Sequence, residues 1–506
     1  MLAKVISGAN VGLESVPVTV EVDIASQGLP SFTLVGLADR AVEESKERVR
    51  SALRNSEADL PPKKITVNLA PADLPKEGPA FDLPIALGIL LASGQLVSDL
   101  SNTLAVGELS LDGSLRSTHG ILSFAILAKE IGLKRLFVPK VNAPEAAVVD
   151  GIDIYPFEDI LQIFKFLTGA EEVLPQPLTE FNSSDGNLYE YDFRDIKGQE
   201  MAKRALEIAA TGAHNVILKG PPGAGKTLLA RAFPSILPPL TKEEALEVTR
   251  IYSICGSLSP GEAIVTTRPF RSPHHTASYV GMIGGGNNIK PGEVSMAHRG
   301  VLFMDELPEF PRQVLEALRQ PLEDRKVTIS RASGSLTFPS QFILLAAHNP
   351  CPCGFLGSPN KNCVCMPGQI SRYKKRMSGP LLDRIDIHLD VPYVDVEKLT
   401  GEKVPEDSKT VRERVKKARE LQYKRFQGSG ILTNSEMKSA QIKQFCQITQ
   451  DAMDLLKMAI SQMNLSARGY HRVLKLSRTI ADLADQENIL SEHIAEALTY
   501  RAREEN

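Results

Sequence analysis

Apolar and polar positions alternate with period two across residues 16–24, the pattern of a strand with one buried face. Asp39 then stands as an N-cap ahead of Ala41, Val42, Ser45, Val49, Ala52 and Leu53, which recur at helical spacing. Glu43 and Glu44 fall in the first turn of that helix, where its dipole favours carboxylates. Residues 65–69 read as a strand, 81–91 as a helix, 104–111 as a further apolar stretch, 121–131 as a helix and 135–139 as a strand. The pattern predicts an α+β domain over residues 1–170. The breaker-rich run with Pro175, Pro177, Asn182, Ser183, Ser184, Asp185 and Gly186 predicts a linker over 171–191. From 192 to 395 the order is strand, glycine loop, helix, insert, strand, helix, hairpin, strand, as in a doubly wound core. Over 396–506 apolar residues recur every three or four positions with almost no strand signal, which predicts a helical region. The fold class is therefore α/β multidomain.

Composition narrows the picture. A chain of 506 residues exceeds one ordinary core, and its 42% hydrophobic and 24% charged residues are those of a soluble globular protein. The longest apolar stretch, 83–92, is broken by Pro84 and Gly88 and is too short to cross a bilayer. Residues 1–8 lack the apolar core of a secretory signal, so no membrane partner and a cytoplasmic location are expected. A net charge of −3 excludes a uniformly basic coat, so a polyanion would have to be held by local patches or an internal channel.

The strongest chemistry lies in the second domain. A short apolar strand leads into Gly220-Pro221-Pro222-Gly223-Ala224-Gly225-Lys226-Thr227, which opens a helix, the context of a Walker A loop. In such a loop successive N–H groups cradle the β-phosphate of ATP, Lys226 reaches the β and γ oxygens, and the Thr227 hydroxyl ligates Mg2+. Val301-Leu302-Phe303-Met304-Asp305-Glu306 is a buried strand ending in two carboxylates, placing Asp305 on Mg2+ and Glu306 on the attacking water. Asn349, after a third apolar strand, reads either as a sensor of the γ-phosphate or as a turn residue before Pro350. Arg384 in Gly379-Pro380-Leu381-Leu382-Asp383-Arg384-Ile385-Asp386 reads either as an arginine finger for a neighbouring subunit or as an ion pair with Asp383 or Asp386.

These motifs resemble those of magnesium-chelatase-like AAA+ ATPases, and specifically of the YifB/ComM family. The resemblance extends over nearly the whole chain. It is carried by 220–227, by Arg268-Pro269-Phe270-Arg271-Ser272-Pro273-His274-His275-Thr276, by Pro291-Gly292-Glu293, Leu307-Pro308-Glu309-Phe310 and Asn349-Pro350-Cys351-Pro352-Cys353-Gly354, and by 379–386. It implies an AAA+ P-loop core over 192–395, a helical lid over 396–506, a ring, usually a hexamer, and for one branch a DNA helicase driving branch migration in natural transformation. By the same likeness Arg384 matches the arginine finger and Arg468 the nucleotide-sensing arginine of the lid, with Arg472 a second candidate. The first domain resembles the Lon protease fold. There Pro75-Lys76-Glu77-Gly78-Pro79-Ala80 is similar to the loop carrying Lon's nucleophile, with Ala80 at the serine position and no lysine among 122–124. Without nucleophile and base, peptidase activity is expected to be absent.

Other segments leave alternatives open. Cys351, Cys353, Cys363 and Cys365, in the spacing C-x-C, nine residues, C-x-C, are four of six cysteines. They read as a closed structural zinc site, as buried free thiols or as redox pairs. Adjacent His274 and His275 suggest metal, but neighbouring strand side chains face opposite ways, which favours a structural role beside the ATP site. A hairpin predicted around Ser333-Gly334 presents Lys326 and Arg331 either to a nucleic-acid backbone or to solvent. Arg372, Lys374, Lys375 and Arg376 form a basic cluster for DNA, whereas the basic helix over 412–425 reads as the coat of an exposed helix. Three functions compete: a DNA translocase acting on single-stranded or branched DNA, a chelatase-type motor remodelling a protein partner, and a peptidase that Ala80 disfavours.

Overall fold

The computed structural model describes residues 2–27, 29–37, 39–74, 76–182, 189–259, 261–286, 289–331, 334–358, 361–394, 405–463 and 465–501, the side chains of Arg40 and Arg331 excepted. Two compact units emerge: residues 1–182 with 242–266, and residues 183–241 with 267–506. Part of the expected linker (183–188) and the expected boundary at 395/396 lie outside the described residues.

The first unit is built on a seven-stranded sheet in the order Ser31–Val35, Lys64–Ala70, Glu14–Ile24, Leu2–Val11, Thr103–Ala105, Arg135–Pro139, Asp153–Phe157. Leu2–Val11 runs antiparallel to Glu14–Ile24 over ten paired positions and parallel to Thr103–Ala105 on its other side. The helix Arg40–Asn55 begins where expected: Asp39 Oδ1 accepts the Val42 N–H at 2.8 Å, satisfying one of the unpaired donors of the first turn. Its Val42, Val49, Ala52 and Leu53 are buried in the core. The helix Asp82–Ser93 is buried on nearly every side, and Gly88 is the position that permits it. A Cβ there would lie 2.5 Å from Val22 Cγ2, so only glycine lets this helix approach the sheet so closely.

Residues 242–266, which the pattern along the chain assigns to the second domain, fold with the first unit. The helix Lys242–Cys255 buries Ala245, Val248 and Ile251. Arg250 Nε donates to the Leu13 carbonyl at 2.8 Å, and the Gly120 N–H donates to the Ser253 carbonyl at 3.2 Å. Glu145 accepts from Ser253 Oγ and from the Leu122 N–H, and its burial pushes its pKa up.

The second unit contains a five-stranded sheet in the order Phe270–Arg271, Val301–Met304, Ile343–His348, Val216–Lys219, Ile387–Asp390, and every pair in it is parallel. Val301–Met304 is wholly apolar and Ile343–His348 is apolar up to its last residue, as strands covered on both faces tend to be. The described part beyond 405 is helical: Ser408–Arg425, Ser439–Phe445, Gln450–Gln462, Ala467–Leu483 and Ser491–Thr499. The first of these is not merely a charged coat. Arg419 and Gln422 are buried and donate to the carbonyls of Ala210 and Thr211, which end the helix Glu200–Gly212. Arg425 pairs with the buried Asp482 at 2.5 and 2.9 Å. These charges are spent inside the fold, because a helix C-terminus leaves carbonyls that need donors.

Candidate functional site

The strand Val216–Lys219 runs into the 220–227 loop, and the loop into the helix Lys226–Ala232. Gly223 and Gly225 have φ of 79° and 86°, a region costly for a residue with a Cβ. Gly220 is constrained differently: a Cβ there would come within 2.3 Å of the Val391 carbonyl oxygen. The buried Lys226 Nζ donates to the carbonyls of Gly220 (2.8 Å) and Pro221 (2.9 Å) and to Asn349 Oδ1 (3.1 Å). Burial pushes the Lys226 pKa down, and the charges of Asp305 and Glu306 oppose that shift.

Val301–Met304 is buried along its whole length and delivers Asp305 and Glu306 to the same end of the sheet. Thr227 Oγ1 donates to Asp305 Oδ2 at 2.9 Å. Glu306 sits in the left-handed region at φ 51°, an uncommon conformation for a non-glycine residue, and its N–H donates to Asp305 Oδ1. The structure thus brings together two hydrogen-bonded pairs, Lys226 with Asn349 and Thr227 with Asp305, with Glu306 next to them. His275 joins them: its Nδ1 lies 3.6 Å from Glu306 Oε2, and its ring stands edge-on to Phe310. His274 and His275 lie outside any strand, and their rings are 4.0 Å apart and tilted by 34°, so they do not face opposite ways as strand neighbours would. The His348 ring, beside the Asn349 carbonyl, is pushed down to about 4 by burial and is therefore neutral.

The two arginines Arg384 and Arg468 come together elsewhere, on one carboxylate. Arg384 pairs with Glu323 and donates to the Pro380 carbonyl at 2.6 Å, and Arg468 Nη2 lies 3.7 Å from Glu323. The hydrogen bond from Arg384 holds the Glu323 carboxyl below its ordinary pKa. Asp383 and Asp386, the partners expected for Arg384, are engaged otherwise. Asp383 lies 3.7 Å from Arg472, and Asp386 pairs with His214 at 3.2 Å. Glu323 carries no motif, so sequence reasoning had no signal for it.

The four clustered cysteines converge, their sulfurs all within 4.8 Å of one another. Cys351 Sγ lies 3.4 Å from Cys353 Sγ and 3.6 Å from Cys363 Sγ, and the Cys353 N–H points to Cys365 Sγ at 3.4 Å. Backbone N–H groups of Phe355 and Val364 push the Cys353 thiol down to about 6, whereas desolvation and the bonds to neighbouring sulfurs push Cys363 up. Among the described residues this is the one group of three or more potential ligands arranged to share an ion.

The hairpin strands Lys326–Arg331 and Gly334–Pro339 pair Arg331 with Gly334, so Gly334 belongs to the ladder and not to the turn. Lys326 is exposed but sits at the base, opposite Pro339, while the Arg331 side chain lies outside the described residues. Arg372, Lys374, Lys375 and Arg376 ride on the helix Pro367–Arg376, where Arg376 is already tied to Glu309 at 2.6 Å. In the first unit, Ala80 lies in the turn Pro79–Phe81, and Leu122, Ser123 and Phe124 are buried in the helix Ile121–Glu130.

Comparison with known proteins agrees with this architecture. The family model described as magnesium chelatase, subunit ChlI, matches residues 192–399. That described as subunit ChlI of Mg-chelatase matches 20–142, and that described as the ChlI C-terminal part matches 405–501. The chain is 46% identical to the competence protein ComM of Haemophilus influenzae, over 99% of this chain and 97% of that one. It is 43% identical to the uncharacterised protein YifB of Escherichia coli, again over 99% and 97%. A partial likeness, 32% identity over 28% of this chain and 26% of the other, is to Lon protease 2 of Bacillus subtilis.

Proposed function

This chain belongs to the YifB/ComM family of magnesium-chelatase-like AAA+ ATPases, and from that premise we propose that it is an ATP-hydrolysing ring motor that moves along DNA as a branch-migration helicase. The observation that carries the ATPase part is the convergence of Lys226, Thr227, Asp305, Asn349 and Glu306 at the mouth of a glycine loop. The residues suit a magnesium-bound nucleoside triphosphate: a loop whose N–H groups can close around phosphate, a cation at its root, and a hydroxyl and carboxylate already 2.9 Å apart. Bound magnesium supplies neutralisation of charge on the β- and γ-phosphate oxygens.

The chain's own groups do the rest. Lys226 exchanges its loop carbonyls for phosphate oxygens, and Thr227 and Asp305 hold the metal. Glu306 accepts the proton of the attacking water, and Asn349 orients that water against the γ-phosphate. Arg384 leaves Glu323 to reach a neighbouring subunit's nucleotide, and Arg468 senses the nucleotide from the helical lid. An arginine supplied in trans requires neighbouring copies of the chain, and the family resemblance makes that assembly a homo-hexameric ring. Four thiolates at Cys351, Cys353, Cys363 and Cys365 suit a structural zinc with no open position.

DNA is held by Lys326 and Arg331 of the hairpin and by Arg372, Lys374 and Lys375, with Arg376 joining if it releases Glu309. The name of the Haemophilus relative, a competence protein, supports a role in natural transformation, and the cytoplasm is the compartment this reading assigns. The first unit is a Lon-like module without peptidase activity, since Ala80 offers no nucleophile. A motor that remodels a protein partner is the second reading, favoured by the chelatase family models that match both parts of the second unit. Steady-state ATPase with single-stranded, duplex and four-way-junction DNA, at two salt concentrations, separates them. Salt-sensitive stimulation absent from Glu306→Gln is expected, and ATPase indifferent to every DNA would favour the second reading.

A further inference from the structure

The cysteine cluster abuts the phosphate loop at two points. The strand Ile343–His348 ends, Asn349 follows and accepts from Lys226 Nζ at 3.1 Å, and two residues later the chain reaches Cys351. Cys351 is fully buried. Its carbonyl accepts the Gly354 N–H at 2.9 Å and its sulfur accepts the Leu356 N–H at 3.3 Å, closing a tight knuckle. The second point is Gly354, at φ 83°. A Cβ on it would stand 2.5 Å from Pro222 Cδ and 2.6 Å from Pro222 Cγ. Gly354 is therefore laid directly against Pro222 of the 220–227 loop.

Apart from the Cys353 N–H donated to Cys365 Sγ at 3.4 Å and Lys361 over the Phe355 ring at 5.1 Å, the knuckle meets the later pair through weak S–H contacts between the sulfurs. Cys363 and Cys365 are carried on a segment whose neighbours Val364 and Met366 are largely exposed, so apolar packing does not anchor it. Four thiolates around one divalent cation close the nine-residue loop between the two C-x-C pairs, and binding free energy at such a site becomes ordering free energy for the chain it ties.

We propose that zinc held by Cys351, Cys353, Cys363 and Cys365 is a positioning element for the phosphate loop, so that occupancy of the four-thiolate site sets the affinity of the chain for ATP. The inference rests on the zinc reading given above and adds regulation to it. Loss of the metal frees the knuckle, and Gly354 no longer buttresses Pro222. Conditions that strip zinc from thiolates would then silence the motor at the nucleotide-binding step, before the reacting groups are engaged.

The test measures three quantities on the full-length protein: zinc per chain, affinity for a fluorescent ATP analogue with Mg2+, and secondary structure by circular dichroism. About one zinc per chain is expected in the purified protein, as a closed four-thiolate site requires. Removal with a thiol-binding mercurial and a zinc-selective chelator, then reduction and restoration of Mg2+, is expected to weaken nucleotide binding roughly tenfold or more. Adding zinc back is expected to restore it, which separates the effect from irreversible unfolding. Gly354→Ala keeps all four thiols. It is expected to retain zinc and still bind nucleotide several-fold more weakly, because its Cβ displaces Pro222. Nucleotide affinity unchanged in the zinc-free protein, or in Gly354→Ala, overturns the inference and leaves the zinc site standing. Purified protein without zinc removes the zinc reading and the inference together.

Discussion

In the second unit a strand runs through a glycine turn into a helix, with the buried Lys226 at its root. In the first unit the chain does something similar: Lys76, fully buried, lies ahead of the turn Pro79–Phe81 that opens the helix Asp82–Ser93. Burial pushes both lysines below the ordinary range. The charges opposing that shift are Asp305 and Glu306 for Lys226, and Asp73 for Lys76. The difference lies in what faces each turn. Opposite Lys226 stand two carboxylates at a strand end and Asn349. The Lys76 amine is taken up by the Pro71 carbonyl, and Asp82 at the helix start is locked by Arg48 at 2.6 and 3.0 Å and by the Leu109 N–H. A buried lysine near a helix start is thus no evidence of a site by itself. The groups across from it decide whether it is poised for an incoming anion or built into the fold.

The comparison breaks if the two turns respond alike to mutation. Glu306→Gln should lower ATP turnover by about 10²–10⁴-fold, the range for removing a positioned general base, while leaving nucleotide binding and thermal stability intact. Lys226→Ala should instead abolish binding of the fluorescent nucleotide. In the first unit, Asp82→Ala should destabilise the fold by about 3–5 kcal/mol, because it strands a partly buried guanidinium, with ATPase per folded molecule unchanged. Denaturant titration and kinetics on the same sample would show whether stability and activity separate in this way. Asn349→Ala sharpens the picture further: loss of one hydrogen bond to a charged group, about 1.5–3 kcal/mol, should appear in kcat more than in nucleotide affinity. The smallest effect is expected for Glu323→Gln. It loosens exposed contacts to Arg384 and Arg468 and should change stability by less than about 1 kcal/mol in the same titration.

The candidate nucleotide site was legible because its residues are local in sequence. Gly220 to Thr227 is one contiguous turn, and Asp305-Glu306 end an apolar strand that has no reason to carry acids otherwise. The helix Arg40–Asn55 was legible for the same reason, its cap and buried face being written within 16 residues. The strand Leu2–Val11 escaped notice because pairing on both sides buries consecutive residues in its second half and erases the alternation. The pairing of Arg384 with Glu323 escaped because nearer acids were available, and only the folded chain shows Asp386 committed to His214. The sites of Arg419 and Arg425 were equally hidden: a basic helix reads as solvated until the carbonyls and Asp482 it serves come into view. A structural role beside the candidate ATP site was expected for His275, but its approach to Glu306 is a tertiary fact.

Consider last the helix Lys242–Cys255, drawn from the middle of the second unit's sequence into the first. It makes the two units inseparable as genetic modules. A gene fragment ending at residue 182 would encode a first unit without Ser253 for Glu145 and without the carbonyl that receives the Gly120 N–H. The reciprocal fragment would carry an orphaned amphipathic segment with Ala245, Val248 and Ile251 in water. Recombination or truncation at the apparent linker is therefore penalised on both sides of the cut, and the two units are expected to be inherited, expressed and degraded as one.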